Sequence, residues 1–218
     1  MAFAAGPGRE CGLCPRLASY RAANRRAAPN AHNAPVPVFG DANARLAIVG
    51  LAPGVKGANT TGRPFTGDFA GELLYETLLD FGFAKGAYRA RADDGMTLVD
   101  CAIVNAVRCV PPQNKPTPLE IAACRPFLSA DLSAMADLTV VVALGRIAHD
   151  TLLRMLSAKL AGHPFGHGVE HGLVAFGRPI ILLDSYHCSR YNTNTGLLTR
   201  AMFRDVFALA RARLASKE

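Results

Sequence analysis

The sequence predicts an α/β fold, a three-layer α/β/α sandwich around a four-stranded parallel sheet. Three observations carry this. Short apolar runs of strand type occur at 46–49, 97–105, 138–144 and 179–184. Segments with helical spacing lie between them, and strands alternating with helices imply parallel βαβ units. Three polar loops, 50–68, 105–117 and 185–196, each follow a strand. In a parallel sheet their starts lie along the carboxyl edge, where such sheets bind ligands.

The totals fit one domain spanning 1–218. Half of the 218 residues are hydrophobic, enough for a sizeable core. The formal net charge of +7 suits a polyanion such as DNA without identifying one. No apolar run reaches the roughly 18 residues of a membrane span, so none is expected. The N-terminus lacks the charged and apolar regions of a secretory signal, and a cytoplasmic location is expected. There the six cysteines are expected to be reduced thiols or metal ligands rather than disulfides.

Taken in order, residues 1–10 are small and read as a frayed tail. Cys11-Gly-Leu-Cys14 follows, a C-x-x-C that alone indicates a redox pair, a metal half-site or nothing. No strand precedes it, which favours the metal half-site. Residues 46–49 (Leu-Ala-Ile-Val) are a short continuous apolar run, as for a strand buried on both faces. Leu73, Leu74, Thr77, Leu78 and Phe81 mark a helix over 69–83, with Asp68 in the N-cap position. Residues 84–97 are polar and read as a surface loop. The second strand, 97–105, runs into a stiff proline-rich loop at 110–117. Thr117-Pro-Leu-Glu120 has capping-box spacing with proline at the first helical position. A helix therefore starts at 118 and carries Cys124 on its second turn. The strand 138–144 leads through Gly145 into a helix over 147–160. Residues 162–172, rich in Gly and His, read as a loop. The strand 179–184, the polar loop 185–196 and an amphipathic helix over 197–214 complete the chain.

The loop Gly50-Leu-Ala-Pro-Gly-Val-Lys-Gly-Ala-Asn-Thr-Thr-Gly-Arg-Pro-Phe-Thr-Gly-Asp68 organises the rest. Its five glycines let the backbone come close to a ligand. It matches neither G-x-x-x-x-G-K-[ST] nor G-x-G-x-x-G, so no nucleotide phosphate loop is expected. Cys11, Cys14, Cys109 and Cys124 form a C-x-x-C plus a C-x14-C. Four soft thiolates suit zinc or an iron–sulfur cluster, and spacing alone does not decide. Cys101 lies in an apolar strand and reads as core.

GLAPG followed by GANTTGRPFTGD resembles the first active-site motif of the uracil-DNA glycosylase superfamily, and within it family 5, the type-B enzymes. With Asn105 ending the second strand, His187-Cys188-Ser189 in the last polar loop and the four cysteines, the resemblance covers most of the chain. It implies a monofunctional, monomeric glycosylase that hydrolyses the N-glycosidic bond of uracil in double-stranded DNA and so initiates base excision repair. Hypoxanthine and other deaminated bases are further substrates it allows. No lyase step is implied, since no motif places a lysine for a Schiff base. The four cysteines would hold a [4Fe–4S] cluster beside the fold, outside the catalytic pocket. The alternative is a non-catalytic iron–sulfur module of the same fold that binds such DNA without cleaving it.

The resemblance also implies roles. Gly50, Leu51, Ala52, Pro53 and Gly54 would line the base pocket, and Phe65 would stack on a flipped uracil. The Asn105 amide would donate to O4 and accept from N3–H, a pairing that cytosine violates. His187 would hydrogen-bond O2, where negative charge grows as the bond breaks. Lys115, Arg146, Ser189, Arg190 and Asn192 would contact DNA, with Arg200 a further phosphate contact, and the 187–196 loop would hold the vacated duplex open. His163, His167 and His171 would lie in a loop near the DNA. These residue types also have ordinary uses, phenylalanine in cores and asparagine in caps. Two departures matter. Many superfamily members carry a carboxylate or amide where this chain has Ala52, which leaves Asp68 as the candidate for orienting water. Cys188 stands where proline is usual, and losing proline's fixed φ is expected to loosen that loop.

Overall fold

The computed structural model describes residue 3 and residues 6–216. Of the tail read at 1–10, residues 1, 2, 4 and 5 lie outside the described residues. The Cys11 N–H donates to Gly8 O at 2.9 Å, so the stretch just before the C-x-x-C is a turn and not a frayed end.

Helix α1 (Pro15–Ala27) precedes a short strand, β1 (Phe39–Gly40). Strand β2 (Leu46–Gly50) leads to the one-turn helix α2 (Ala58–Thr61) and then to α3 (Phe69–Asp80). A small hairpin of β3 (Ala84–Lys85) and β4 (Thr97–Leu98) comes before β5 (Cys101–Asn105). Helix α4 (Pro118–Ala134), β6 (Val140–Leu144) and α5 (Arg146–Met155) follow. Strands β7 (Glu170–Ala175) and β8 (Arg178–Ser185) form a second hairpin, and α6 (Arg190–Asn194) and α7 (Arg200–Ala215) close the chain. The Thr117 capping box is formed: Thr117 Oγ1 accepts from the Glu120 N–H, and a Glu120 carboxylate oxygen accepts from the Thr117 N–H at 2.7 Å. Among the described residues no helix is long and apolar enough to cross a membrane.

The main sheet has the order β1-β5-β2-β6-β8-β7. Its four central strands are parallel, as the sequence predicts. The expected four-stranded sheet is corrected to six by two antiparallel edges, β1 on β5 and β7 on β8. The hairpin at β7 and β8 turns on Phe176 and Gly177, both at positive φ (54° and 77°), which is the backbone a two-residue hairpin needs. Phenylalanine is an unusual first residue for that turn, so the sequence carried no turn signal there. His171 is consequently a buried strand residue and not part of a loop.

Side chains of β2, β5 and β6 alternate between two cores. Leu46, Ile48, Cys101, Ile103, Val140 and Val142 face α3 and α7. Ala47, Val49, Ala102, Val104, Val141 and Ala143 face α4 and α5. The period-two alternation of a strand buried on both sides thus builds the three layers. The chain leaves β2 for β5 on one side, then crosses to β6 on the other. The strand order therefore reverses at β2, and its carboxyl end opens the crevice where such sheets bind ligands.

The 84–97 stretch, read as a surface loop, holds one of the most buried charges. Asp94 is bidentate to Arg63, with both bonds at 2.7 Å and both side chains almost fully buried. The guanidinium lies over the rings of Phe39, Tyr75 and Tyr88 at 5.1, 5.2 and 5.8 Å. Asp94 also accepts from the backbone N–H groups of Arg89 and Met96. A carboxylate folded inward among polar neighbours leaves no trace in composition or periodicity.

The Arg63 hydrogen bonds hold the Asp94 carboxyl well below the usual carboxylate range. A depressed folded value means that the stabilisation is complete above the unfolded pKa, about 3.9, and is lost as pH falls through the folded value. Asp94→Asn leaves Arg63 without its charge partner and should cost about 3 kcal/mol at pH 7 in denaturant unfolding. The gap between variant and wild type should shrink below about pH 4. Equal stabilities at pH 7 would show that the pair contributes nothing.

Candidate active site

A solvent-open cleft lies at the carboxyl edge, at the end of β2. It is lined by Leu51, Ala52, Pro53, Gly54, Ala58, Phe65, Asp68, Phe69, Ala70, Asn105, Asn114, His187, Ser189 and Arg190. The three polar loops therefore do converge, and Phe65, Asp68, Asn105 and His187 share one cavity.

The parallel register pairs Gly50 with Asn105. It continues one step past the strands, where the Ala106 and Val107 N–H groups donate to Gly50 O and Leu51 O, both at 2.9 Å. Gly50 is buried beneath the cleft and does not line it. A Cβ there would stand 2.5 Å from Asn105 Oδ1 and 2.6 Å from the Phe65 ring, so only glycine lets these two side chains meet the strand end. Asn105 is buried, and its Oδ1 has no hydrogen-bond partner among the described residues. A buried acceptor left unsatisfied is costly and marks a place for a ligand's donor.

Phe65 has φ of 51°, the left-handed region that a non-glycine residue seldom occupies. Its ring centre lies 6.1 Å from that of His187, the planes tilted by 31°. Helix α3 approaches so closely that a Cβ on Gly71 would stand 1.8 Å from Phe65 O. Phe65 is only 7% exposed, so the ring is both a wall of the cleft and part of the core.

Asp68 is the N-cap of α3, and its Oδ1 accepts from the Gly71 N–H at 3.1 Å. Its second oxygen rests against the 54–57 turn, 2.4 Å from where a Cβ on Gly57 would stand. Burial raises the Asp68 pKa, while the Gly71 and Ala70 N–H groups partly oppose this. Burial lowers the His187 pKa, so its imidazole is neutral at pH 7. Among the described residues none hydrogen-bonds the His187 ring.

The His187 backbone is well held. The Asn192 amide donates to His187 O at 2.8 Å, and Ser189 Oγ caps α6 by accepting from the Asn192 N–H. Cys188 is fully buried, and its thiol contacts Ala70 O at 3.5 Å. The loop expected to loosen without proline is therefore tied to the start of α3 by the cysteine that replaces it.

Other predicted residues fall elsewhere. Ser189 and Arg190 line the cleft, with Arg190 lying over the Phe69 ring at 5.3 Å. Arg146 is exposed at the start of α5 and covers Phe165, and Lys115 is exposed on the proline loop. Asn192 spends its amide on His187, and Arg200 pairs with Glu76. Sequence reasoning missed Asn114, which reaches the cleft from a left-handed turn (φ 57°) that asparagine tolerates. A strand-end asparagine like Asn105 stands out; one inside a proline loop does not.

Of the three histidines expected in a loop, His163 and His167 lie in one, and His171 alone is corrected, since it stands on β7. His149 Nδ1 and His171 Nε2 pair with the two oxygens of Asp184 at 2.7 and 3.1 Å, all three residues being buried. These ligand atoms lie within 4.8 Å of one another, close enough for a metal ion. His149 Nε2 already meets His163 O at 2.9 Å and Asp184 Oδ2 accepts from the Gly166 N–H, so the group is satisfied by hydrogen bonds alone. His167 braces the residue before His187: its Nδ1 accepts from the Tyr186 N–H at 3.0 Å, and its other nitrogen donates to Met202 O.

Cys11, Cys14, Cys109 and Cys124 line one pocket with Leu17, Arg21, Val107 and Phe127. Arg21 is buried and donates to Cys109 Sγ at 3.3 Å, and the Arg108 N–H donates to Cys124 Sγ at 3.4 Å. Burial raises the thiols of Cys14, Cys109 and Cys124, the last to about 11. Among the described residues no three cysteine sulfurs lie within 4.8 Å of one another. Around a single tetrahedral zinc, with Zn–S about 2.3 Å, all four would be about 3.8 Å apart.

Known proteins resemble this chain over most of its length. The family model described as the Uracil DNA glycosylase superfamily matches residues 37–211. The chain is 45% identical over 206 residues to the type-5 uracil-DNA glycosylase of Thermus thermophilus, covering 92% of each chain. It is 38% identical over 206 residues to that of Pyrobaculum aerophilum, covering 93% of this chain and 88% of the relative. The type-4 uracil-DNA glycosylase of Archaeoglobus fulgidus is 29% identical over 153 residues, 70% of this chain and 69% of the relative.

Proposed function

This chain belongs to the uracil DNA glycosylase superfamily, and from that membership we propose that it is a uracil-DNA glycosylase hydrolysing the N-glycosidic bond of uracil in DNA. The supporting observation is that Phe65, Asn105 and His187, from three different loops, line one cleft. The proposal extends to double-stranded DNA, to hypoxanthine as a second base, to a monomer and to the opening step of base excision repair.

In the reaction, a nucleotide leaves the stack and its base lies along Phe65. The unsatisfied Asn105 oxygen accepts from uracil N3–H, and the amide N–H group donates to O4. Cytosine has an acceptor at N3 and a donor at position 4, the reverse of this pattern. The neutral His187 imidazole donates to O2, where negative charge accumulates. A neutral donor serves here, because no proton has to be transferred to stabilise that oxygen. Asp68, with one oxygen on the helix cap, has a second to orient water and balance positive charge on the sugar.

The cysteine pocket fits a [4Fe–4S] cluster. Its four thiols, the Arg21 cation and the backbone N–H to sulfur suit an anionic cluster. Cys11, Cys14, Cys109 and Cys124 would hold it. It would tie α1 to α4, a structural task outside the catalytic cleft.

The activity is tested by incubating duplex DNA carrying uracil or hypoxanthine with the protein, then counting strand breaks after hot alkali. Breaks at uracil are expected; tight binding without breaks would instead support a non-catalytic module. Asp68→Asn should keep the helix cap, with stability changed by only a few tenths of a kcal/mol. Its single-turnover rate should fall roughly 10²-fold, since the amide has no charge and is a poor base. A near wild-type rate would remove Asp68 from catalysis. For the cluster, purified protein should be brown with four iron per chain, and Cys109→Ser should lose both colour and stability. A colourless protein with one bound zinc would refute it.

A further inference from the structure

Phe65 is held in an uncommon backbone conformation, and the residues around it are held both from within the 50–68 loop and from outside it. Tyr75 donates its hydroxyl to Pro64 O at 2.7 Å. Thr66 Oγ1 accepts from Arg63 Nε at 2.7 Å, and Thr61 donates to Thr66 O at 3.1 Å. One hydroxyl spans Phe65 itself: Tyr88 Oη accepts from the Gly67 N–H and donates to Phe65 O, both at 3.3 Å. The Tyr88 ring stacks on Tyr75 at 4.7 Å and lies against the Arg63 guanidinium that Asp94 pairs. Gly71 leaves just the room this needs, for a Cβ there would stand 2.7 Å from Tyr88 Oη.

We propose that Tyr88, set in place by the Arg63–Asp94 pair, is a positioning residue that fixes Phe65 as the stacking wall of the cleft. The hairpin region 84–98, which contributes nothing to the lining of the cleft, thereby helps to decide where the base lies. A left-handed phenylalanine persists only when its surroundings over-determine it. Tyr88 closes a bridge across the strained residue, from the carbonyl of Phe65 to the amide two residues on. Losing the bridge lets Phe65 relax toward the β region, carrying the ring away from Asn105 and His187. The hydroxyl touches no substrate and acts only through Phe65.

This inference rests on the proposed uracil chemistry, and a double-mutant cycle separates the two. Single-turnover excision of uracil from duplex DNA is measured for wild type, Tyr88→Phe, Phe65→Ala and the double variant, with melting temperatures alongside. Tyr88→Phe keeps the ring and its stacking, so the protein should fold. Its rate should fall roughly tenfold, since displacement of about 1 Å near the reacting atoms is costly. In the Phe65→Ala background the same change should cost nothing further, because the group it acts through is gone. An equal loss in both backgrounds, or none in the wild-type background, would overturn the inference. Wild type that leaves uracil in place would overturn the proposed activity instead. In that case a crystal structure of Tyr88→Phe decides: Phe65 shifted from its φ of 51° supports the bridge, and Phe65 unmoved refutes it.

Discussion

Parallel pairing of β2 with β5 places Gly50 opposite Asn105, and the construction of the site follows from that register. Neither residue could move one step along its strand. A one-residue slip would turn the Asn105 amide to the other face and bury a different side chain against the strand end. With the register fixed, the chain must leave β2 through a residue without a side chain, because Asn105 and Phe65 fill the space a Cβ would take. The glycine-rich loop then returns to deliver Phe65 and Asp68 to the same edge. The pairing of Leu144 with Ser185 brings His187 there from the opposite side of β2. Three loops distant in sequence thus meet because four strands end together.

The loops are made rigid by buried polar groups rather than by apolar packing alone. Arg63 and Asp94 brace the Phe65 loop from one side. The His149–Asp184–His171 group and the His167 bridge secure the end of β8, just ahead of His187. Such groups are weak evidence for stability, since desolvation offsets much of their attraction. Their directional bonds suit them to holding a loop in one place. Two of the ionisable residues lining the cleft are shifted in opposite directions by the same cause. Burial raises Asp68 and lowers His187, in each case favouring the neutral form.

Much of this was legible in the sequence. The central strands, the Asp68 and Thr117 caps, and the convergence of three loops all follow from apolar runs, cap spacing and parallel topology. What was not legible depends on tertiary partners. Asp94 looked like any surface aspartate, because its value comes from an arginine 31 residues away. His171 sat in a glycine-rich stretch, and only the Phe176–Gly177 turn makes that stretch a strand. Asn114 and Gly71 belong to the site through positions that neither spacing nor composition marks. The cysteine quartet was legible as a set, while the buried Arg21 that donates to Cys109 became visible only in three dimensions.

Substitution at the strand end tests the central claim most directly. In Gly50→Ala the added methyl group would have to displace Asn105 and Phe65 together, although it touches no substrate and leaves every hydrogen bond of the strand in place. If the register builds the site, single-turnover excision of uracil from duplex DNA should fall roughly 10²-fold or more while the protein remains folded. A folded Gly50→Ala protein that excises uracil at the wild-type rate would contradict it.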